Sequence, residues 1–151
     1  MSGGQVELII RRQATPQANP YWERFAMDHA PGMNIISCLM EIQRCPVTRD
    51  GRPTTPVVWE CNCLEEVCGS CTMLVNGHPR QACSALVGQV KQPITLAPLS
   101  KFPVVRDLIV DRSQMFEALK RIAATSSSPS GAFLAVYCGS SRIGRTGSGG
   151  T

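Results

Sequence analysis

The segment CNCLEEVCGSC, residues 61–71, holds four cysteines in eleven positions. So dense a run of thiols leaves a short loop few chemical options: disulfides, a redox dithiol or a metal centre. The 151-residue chain has eight cysteines, at positions 38, 45, 61, 63, 68, 71, 83 and 138. Cys63, Cys68 and Cys71 follow the spacing C-x4-C-x2-C, and Cys83 stands twelve positions after Cys71. Between them lies Asn76-Gly77, flanked by apolar residues. That dipeptide is a strong hairpin signal, and a hairpin there would return Cys83 towards the loop.

Three thiolates on one loop at this spacing, with a fourth from elsewhere, form the donor pattern of a plant-type [2Fe–2S] cluster. Such a loop must curl around an anionic core and aim backbone N–H groups at sulfur. Gly69, beside Cys68, gives the backbone access to the left-handed region, and Ser70 is also small. Two other chemistries fit less well and stay open. Structural zinc sites usually carry two C-x2-C knuckles, and the loop has one. Cys68-Gly-Ser-Cys71 resembles a redox dithiol, but that motif belongs to a βαβ setting, whereas the TMLV that follows suits a strand. A disulfide framework calls for export. The start MSGGQVELII has no basic segment or apolar run of a signal peptide, so a reducing interior is expected.

The remaining cysteines are expected to stay outside the ligand set. On an extended strand Cys61 would face the same side as Cys63, two positions on, and it is expected to pack; Cys38 is expected to sit on the apolar side of a helix, Cys45 to stand at that helix's end, and Cys138 to lie in a tail. Glu65 and Glu66 fall between the first two ligands, where carboxylates would oppose reduction of an anionic cluster. His29 and His78 have no partner set. No Ser–His–Asp constellation, phosphate loop or paired-carboxylate site can be defended, so the chain is expected to carry electrons rather than to make or break substrate bonds.

The order of elements is that of an α+β fold. QVELIIRR (5–12) and YWERFAMDHA (21–30) read as a strand pair. Residues 31–44 carry Ile35, Leu39 and Ile42 at helical spacing, with Asn34 or Ser37 as cap and Pro46 as terminator. A turn-rich stretch (48–56) leads to the cysteines. A hairpin (72–87), a strand (93–99) and a helix (113–122, capped by Ser113) follow. A mixed sheet crossed by one helix suits this order, as in a β-grasp, ferredoxin-like [2Fe–2S] domain. The domain is expected over residues 5–110, the start of a helical linker over 111–122, and a Ser/Gly-rich disordered tail over 123–151. Hydrophobic residues make up 43% and charged residues 17%, enough for one core. The net charge of +4 is scattered, so no nucleic-acid footprint is drawn. No apolar stretch approaches the roughly 18 residues of a membrane span.

WECNCLEEVCGSCTMLVNGHPRQACSALV and ITLAPLSKFPVVRDLIVDRSQMFEALKRI resemble the N-terminal half of the iron–sulfur subunit of succinate dehydrogenase and fumarate reductase. GMNIISCLMEIQR fits the same family, and the resemblance runs from about Val6 to Ile122. It implies that Cys63, Cys68, Cys71 and Cys83 ligate one [2Fe–2S] cluster. Some members of the family have Asp at the place of Cys71. It further implies a relay: electrons from the covalently bound FAD of a flavoprotein subunit that oxidises succinate to fumarate, passed through clusters in a C-terminal ferredoxin-like domain to quinone at a membrane-anchor cytochrome b subunit, the anchor being a partner only if that domain is supplied. The subunit would sit peripherally on the cytoplasmic side of a bacterial membrane.

The family continues into cysteine runs that bind [4Fe–4S] and [3Fe–4S] clusters. No such run follows Ile122, so neither cluster is expected on this chain, and a fragment or a lost reading frame near residue 122 is expected instead. Two alternatives remain. One is the [2Fe–2S] small subunit of a molybdenum hydroxylase, against which stand RCPVTRDGRPTTPVVWE and FPVVRDLIVDRS. The other is a non-redox four-cysteine zinc module for protein interaction.

Overall fold

The computed structural model describes residues 4–125. The expected tail beyond that, with Cys138, lies outside the described residues. The chain divides into two compact units, Met1–Arg112 and Ser113–Thr151.

The first unit is built on a five-stranded sheet. Its strands are β1 (Gln5–Arg12), β2 (Tyr21–Asp28), β3 (Thr72–Val75), β4 (His78–Gln81) and β5 (Ile94–Ala97), in the spatial order β2-β1-β5-β3-β4. Only β1 and β5 run parallel; the other pairs are antiparallel. Helix α1 (Ile35–Arg44) buries Ile35, Ile36, Cys38, Leu39 and Ile42 in the same core as the sheet. This is the mixed, β-grasp-like α+β arrangement expected from the order of elements. A short 3-10 turn, Val87–Gln89, precedes β5, and a small two-stranded ribbon, β6 (Val104–Arg106) and β7 (Ile109–Val110), follows it.

Local chemistry explains most of these elements. Along β1 every second residue (Val6, Leu8, Ile10, Arg12) is buried, the two-residue period of a strand with one face on a core. The helix starts where Asn34 Oδ1 accepts the Ser37 N–H at 2.9 Å. Of the two expected caps, Asn34 is the one used, and it places the helix start after the Pro31-Gly32 turn. The Asn76-Gly77 turn has positive φ at both residues, 50° and 81°, the requirement of a tight two-residue hairpin. Asn76 also fastens that turn to β5: its Oδ1 accepts the Thr95 N–H at 2.7 Å, and its Nδ2 donates to the Lys91 carbonyl at 2.9 Å. Pro79 sits in β4, an edge strand, where the missing N–H disturbs no inner ladder.

The buried end of β1 carries a charge. Arg12 is 2% exposed and donates Nε to Asp107 Oδ1 at 3.1 Å. Its two Nη atoms reach Glu23, the Thr55 carbonyl and hydroxyl, and the Pro56 carbonyl. Asp107, at the turn between β6 and β7 with φ 46°, also accepts the N–H groups of Gln13 and Val58. The β6–β7 ribbon was not among the expected strands.

The second unit contains helix α2 (Ser113–Thr125). It begins at the expected residue and runs past Ile122 into what was expected to be tail. Its apolar residues Met115, Phe116, Leu119 and Ile122 are exposed.

Asp107→Ala should be among the most damaging single changes in the first unit. Removing the partner of a buried Arg costs about 3–5 kcal/mol, because an uncompensated charge stays inside. Urea unfolding measures this directly. A loss below about 1 kcal/mol would mean that Glu23 alone suffices to compensate Arg12.

Candidate metal centre

Between α1 and β3 the chain forms a loop without regular strands. Its curl comes from left-handed residues: Leu64 (φ 61°), Glu66 (φ 58°) and Gly69 (φ 73°). Gly69 was legible in the sequence; Leu64 and Glu66 were not, since non-glycine residues seldom adopt this conformation. Their effect is to turn N–H groups inward. The backbone N–H groups of Glu65, Val67 and Cys68 point at Cys63 Sγ at 3.4, 3.4 and 3.3 Å. The Cys63 N–H in turn points at Cys68 Sγ at 3.5 Å.

Cys68 is exposed, yet its thiol is lowered to about 6, first by the Cys63 N–H and then by the Ser70 hydroxyl and N–H. Donors aimed at a sulfur favour its thiolate. Cys71 and Cys83 are both buried. The Cys83 thiol is pushed up, chiefly by burial and then by its hydrogen bond with the Cys71 thiol, against a pull from the Glu66 N–H; the nearby Cys63 also raises it. The four sulfurs therefore share one neighbourhood as two pairs, Cys63 with Cys68 and Cys71 with Cys83.

Supports reach the loop from three directions. Asn34, the cap of α1, donates Nδ2 to the Cys83 carbonyl at 2.9 Å. The Ser84 hydroxyl donates to Glu66 Oε1 at 2.7 Å. Arg112 spans the carbonyls of Gly69 and Ser70 at 3.3 and 3.0 Å. Neither Asn34's second role nor Arg112 was singled out from the sequence, and no local pattern marks them. Cys83 was expected on the return strand of the hairpin. It lies just past it, since β4 ends at Gln81, although the Ala82 N–H still reaches the Cys71 carbonyl at 3.2 Å.

The other cysteines separate clearly. Cys38 is fully buried on α1, as expected. Cys45, the C-terminal cap of α1, is exposed. Cys61 corrects an expectation: it is exposed rather than packed. Residues 57–63 form no strand, so the reasoning from strand alternation does not apply there.

The donor set fits an iron–sulfur cluster. In a [2Fe–2S] cluster each iron takes two thiolates, which is what two thiol pairs can offer. A tetrahedral zinc ion needs its donors gathered about one point.

Residues 7–117 match the model of a 2Fe-2S iron–sulfur cluster binding domain. The chain belongs to that family. Among its relatives, the succinate dehydrogenase iron–sulfur subunit of Bacillus subtilis is 56% identical over 119 residues, 79% of this chain and 47% of that protein. The fumarate reductase iron–sulfur subunit of Wolinella succinogenes is 31% identical over 105 residues, 69% of this chain and 41% of that protein. The chain thus spans about half the length of these relatives. In fold it is similar to a chain of the Mycobacterium smegmatis Sdh1 complex in its apo form, with a TM-score of 0.68 at 24% identity. The match covers 79% of this chain and 47% of that one.

Cys38 provides a test of the thiol environments. Burial pushes its thiol from an ordinary value near 9 to about 12. The native chain at pH 9 should leave Cys38 unmodified by iodoacetamide while exposed Cys45 reacts, as read by mass spectrometry. The unfolded chain loses the Cys38 proton near pH 9 and the folded chain keeps it. The contribution of this thiol to stability is therefore complete below pH 9 and is lost as pH rises towards 12. Urea midpoints between pH 8 and 10.5 should fall less steeply in Cys38→Ala than in the unaltered chain.

Proposed function

We propose that Cys63, Cys68, Cys71 and Cys83 hold one [2Fe–2S] cluster and that the chain relays electrons within a succinate:quinone oxidoreductase. Two thiol pairs wrapped by inward N–H groups carry this reading. The cluster, when bound, supplies storage for one electron at a time. The rest falls to the protein. N–H groups of Glu65, Val67 and Cys68 stabilise negative charge on the sulfur of Cys63, and Ser70 does so for Cys68. Buried Cys71 and Cys83 keep water from one side of the site. The carboxylates of Glu65 and Glu66 act in the opposite sense, and exposure weakens them.

The cluster-binding domain is residues 5–110, in accord with a compact unit that ends at Arg112. The electron donor is the FAD of a flavoprotein subunit that oxidises succinate, and the acceptor side is a membrane-anchor cytochrome b subunit, reached only if the family's C-terminal cluster domain is supplied. Similarity to the iron–sulfur subunits of succinate dehydrogenase and fumarate reductase supports both partners. No helix among the described residues is long and apolar enough to cross a membrane; a peripheral position on the cytoplasmic side of a bacterial membrane is the reading that follows from the partners.

Chain purified anaerobically should be brown, with iron and acid-labile sulfide in equal amounts. Ser in place of Cys63, Cys68, Cys71 or Cys83 should remove most of both, whereas Cys45→Ser and Cys61→Ser should keep them. Full loss in Cys61→Ser with Cys83→Ser unaffected would overturn the ligand set. Coexpressed with a flavoprotein subunit, the cluster should give its reduced EPR signal on addition of succinate. Failure of that signal, with the cluster intact, would remove the proposed donor.

A further inference from the structure

Arg112 is the last residue of the first unit and is half-buried against the Cys68–Cys71 turn. Its Nη1 donates to the Gly69 carbonyl at 3.3 Å and its Nη2 to the Ser70 carbonyl at 3.0 Å. The Gly69 carbonyl also accepts the Thr72 N–H at 3.1 Å and the Thr72 hydroxyl at 2.7 Å. One carbonyl thus gathers three donors, one of them cationic. We propose that Arg112 is a positioning residue for the redox site: its forked guanidinium fixes the Gly69–Ser70 turn and raises the reduction potential of a cluster held by Cys68 and Cys71. The inference rests on the [2Fe–2S] reading above.

Two effects act in the same direction. The first runs through the backbone. The Gly69 carbonyl belongs to the peptide group whose N–H is that of Ser70, two positions after Cys68 and next to Cys71. A charged donor on the carbonyl polarises that peptide and strengthens its N–H as a donor. The Ser70 carbonyl is joined in the same way to the Cys71 N–H. The second effect acts through space. Reduction adds one electron to a ferric iron of a cluster that is already anionic, and a nearby cation favours the product. Both bonds from Arg112 end on neutral carbonyls, so they do not neutralise its charge. Lysine could supply the charge but not the planar fork that reaches two carbonyls at once.

A unit charge about 7 Å away, at an effective permittivity of about 40, shifts an equilibrium by close to tenfold. Loss of the Arg112 charge should therefore make one-electron reduction about tenfold less favourable, a downward shift of about 59 mV. The test is an EPR-monitored titration of the full 151-residue chain with dithionite and mediators. It uses Arg112→Gln and Arg112→Lys beside the unaltered protein, with iron and sulfide measured in each. The expected result is a lower midpoint in Arg112→Gln and, in Arg112→Lys, which keeps the charge without the fork, a midpoint between that of Arg112→Gln and the original. If Arg112→Gln loses the cluster while Arg112→Lys retains it, the need for the cation stands by a second route. An unchanged midpoint in Arg112→Gln at full cluster content overturns the proposal. So does equal loss of cluster from both variants, which would leave Arg112 a packing role only. Failure of the underlying reading looks different: the unaltered chain itself would then show neither acid-labile sulfide nor an EPR signal.

Discussion

The carboxylate of Asp107 holds together parts of the chain that no strand ladder joins. It takes the guanidinium of Arg12 at the end of β1, the N–H of Gln13 beyond it, and the N–H of Val58 on the approach to the cysteine loop. Arg12 extends the same network to the carbonyls of Thr55 and Pro56. The stretch from Thr54 to Trp59 has no regular pairing of its own, so these side chains set where it runs. The Leu108 N–H adds a bond to the Val58 carbonyl at 3.1 Å. A buried ion pair is weak evidence for stability but a good device for fixing one arrangement. Here the arrangement being fixed is the entry of the chain into its cysteine loop.

Within that loop, backbone dipoles and side-chain charges oppose one another. Inward N–H groups stabilise negative charge at sulfur, and the guanidinium of Arg112 stands behind one turn of the loop. Glu65 and Glu66 bring negative charge to the same loop, one of them tied down by Ser84. A redox loop needs both tendencies, since cluster potentials are set by net charge, hydrogen bonds to sulfur and exposure. The backbone contribution depends on left-handed residues at 64, 66 and 69. Leu and Glu accept that conformation only because the surrounding bonds hold them in it.

What could be read from the residues was local. The period of β1, the Asn34 cap, the Asn76-Gly77 turn and the C-x4-C-x2-C spacing each depend on neighbours within a few positions, and each appears in the structure. What could not be read depends on distance in sequence. Arg12 and Asp107 are 95 positions apart, and an arginine in a strand ordinarily signals a solvent-facing end. Arg112 meets Gly69 across 43 positions. The β6–β7 ribbon is too short to show a period. Cys61 misled because alternation was applied to a stretch that forms no strand. The positive φ of Leu64 and Glu66 follows from inward N–H bonding, and neither side chain announces it.

Strand β5 occupies a position whose importance concerns time rather than geometry. The β1–β2 pair and the β3–β4 hairpin touch within the sheet only through β5, which lies between β1 and β3. Its partners on the β1 side are Leu8, Ile9 and Ile10, opposite Ile94, Thr95 and Leu96. Pairings this remote form slowly. During synthesis every thiol from Cys38 to Cys83 leaves the ribosome before the strand that closes the sheet. The cysteine loop is therefore made before the scaffold that shelters Cys71 and Cys83, and over that interval all of its thiols are open to solvent.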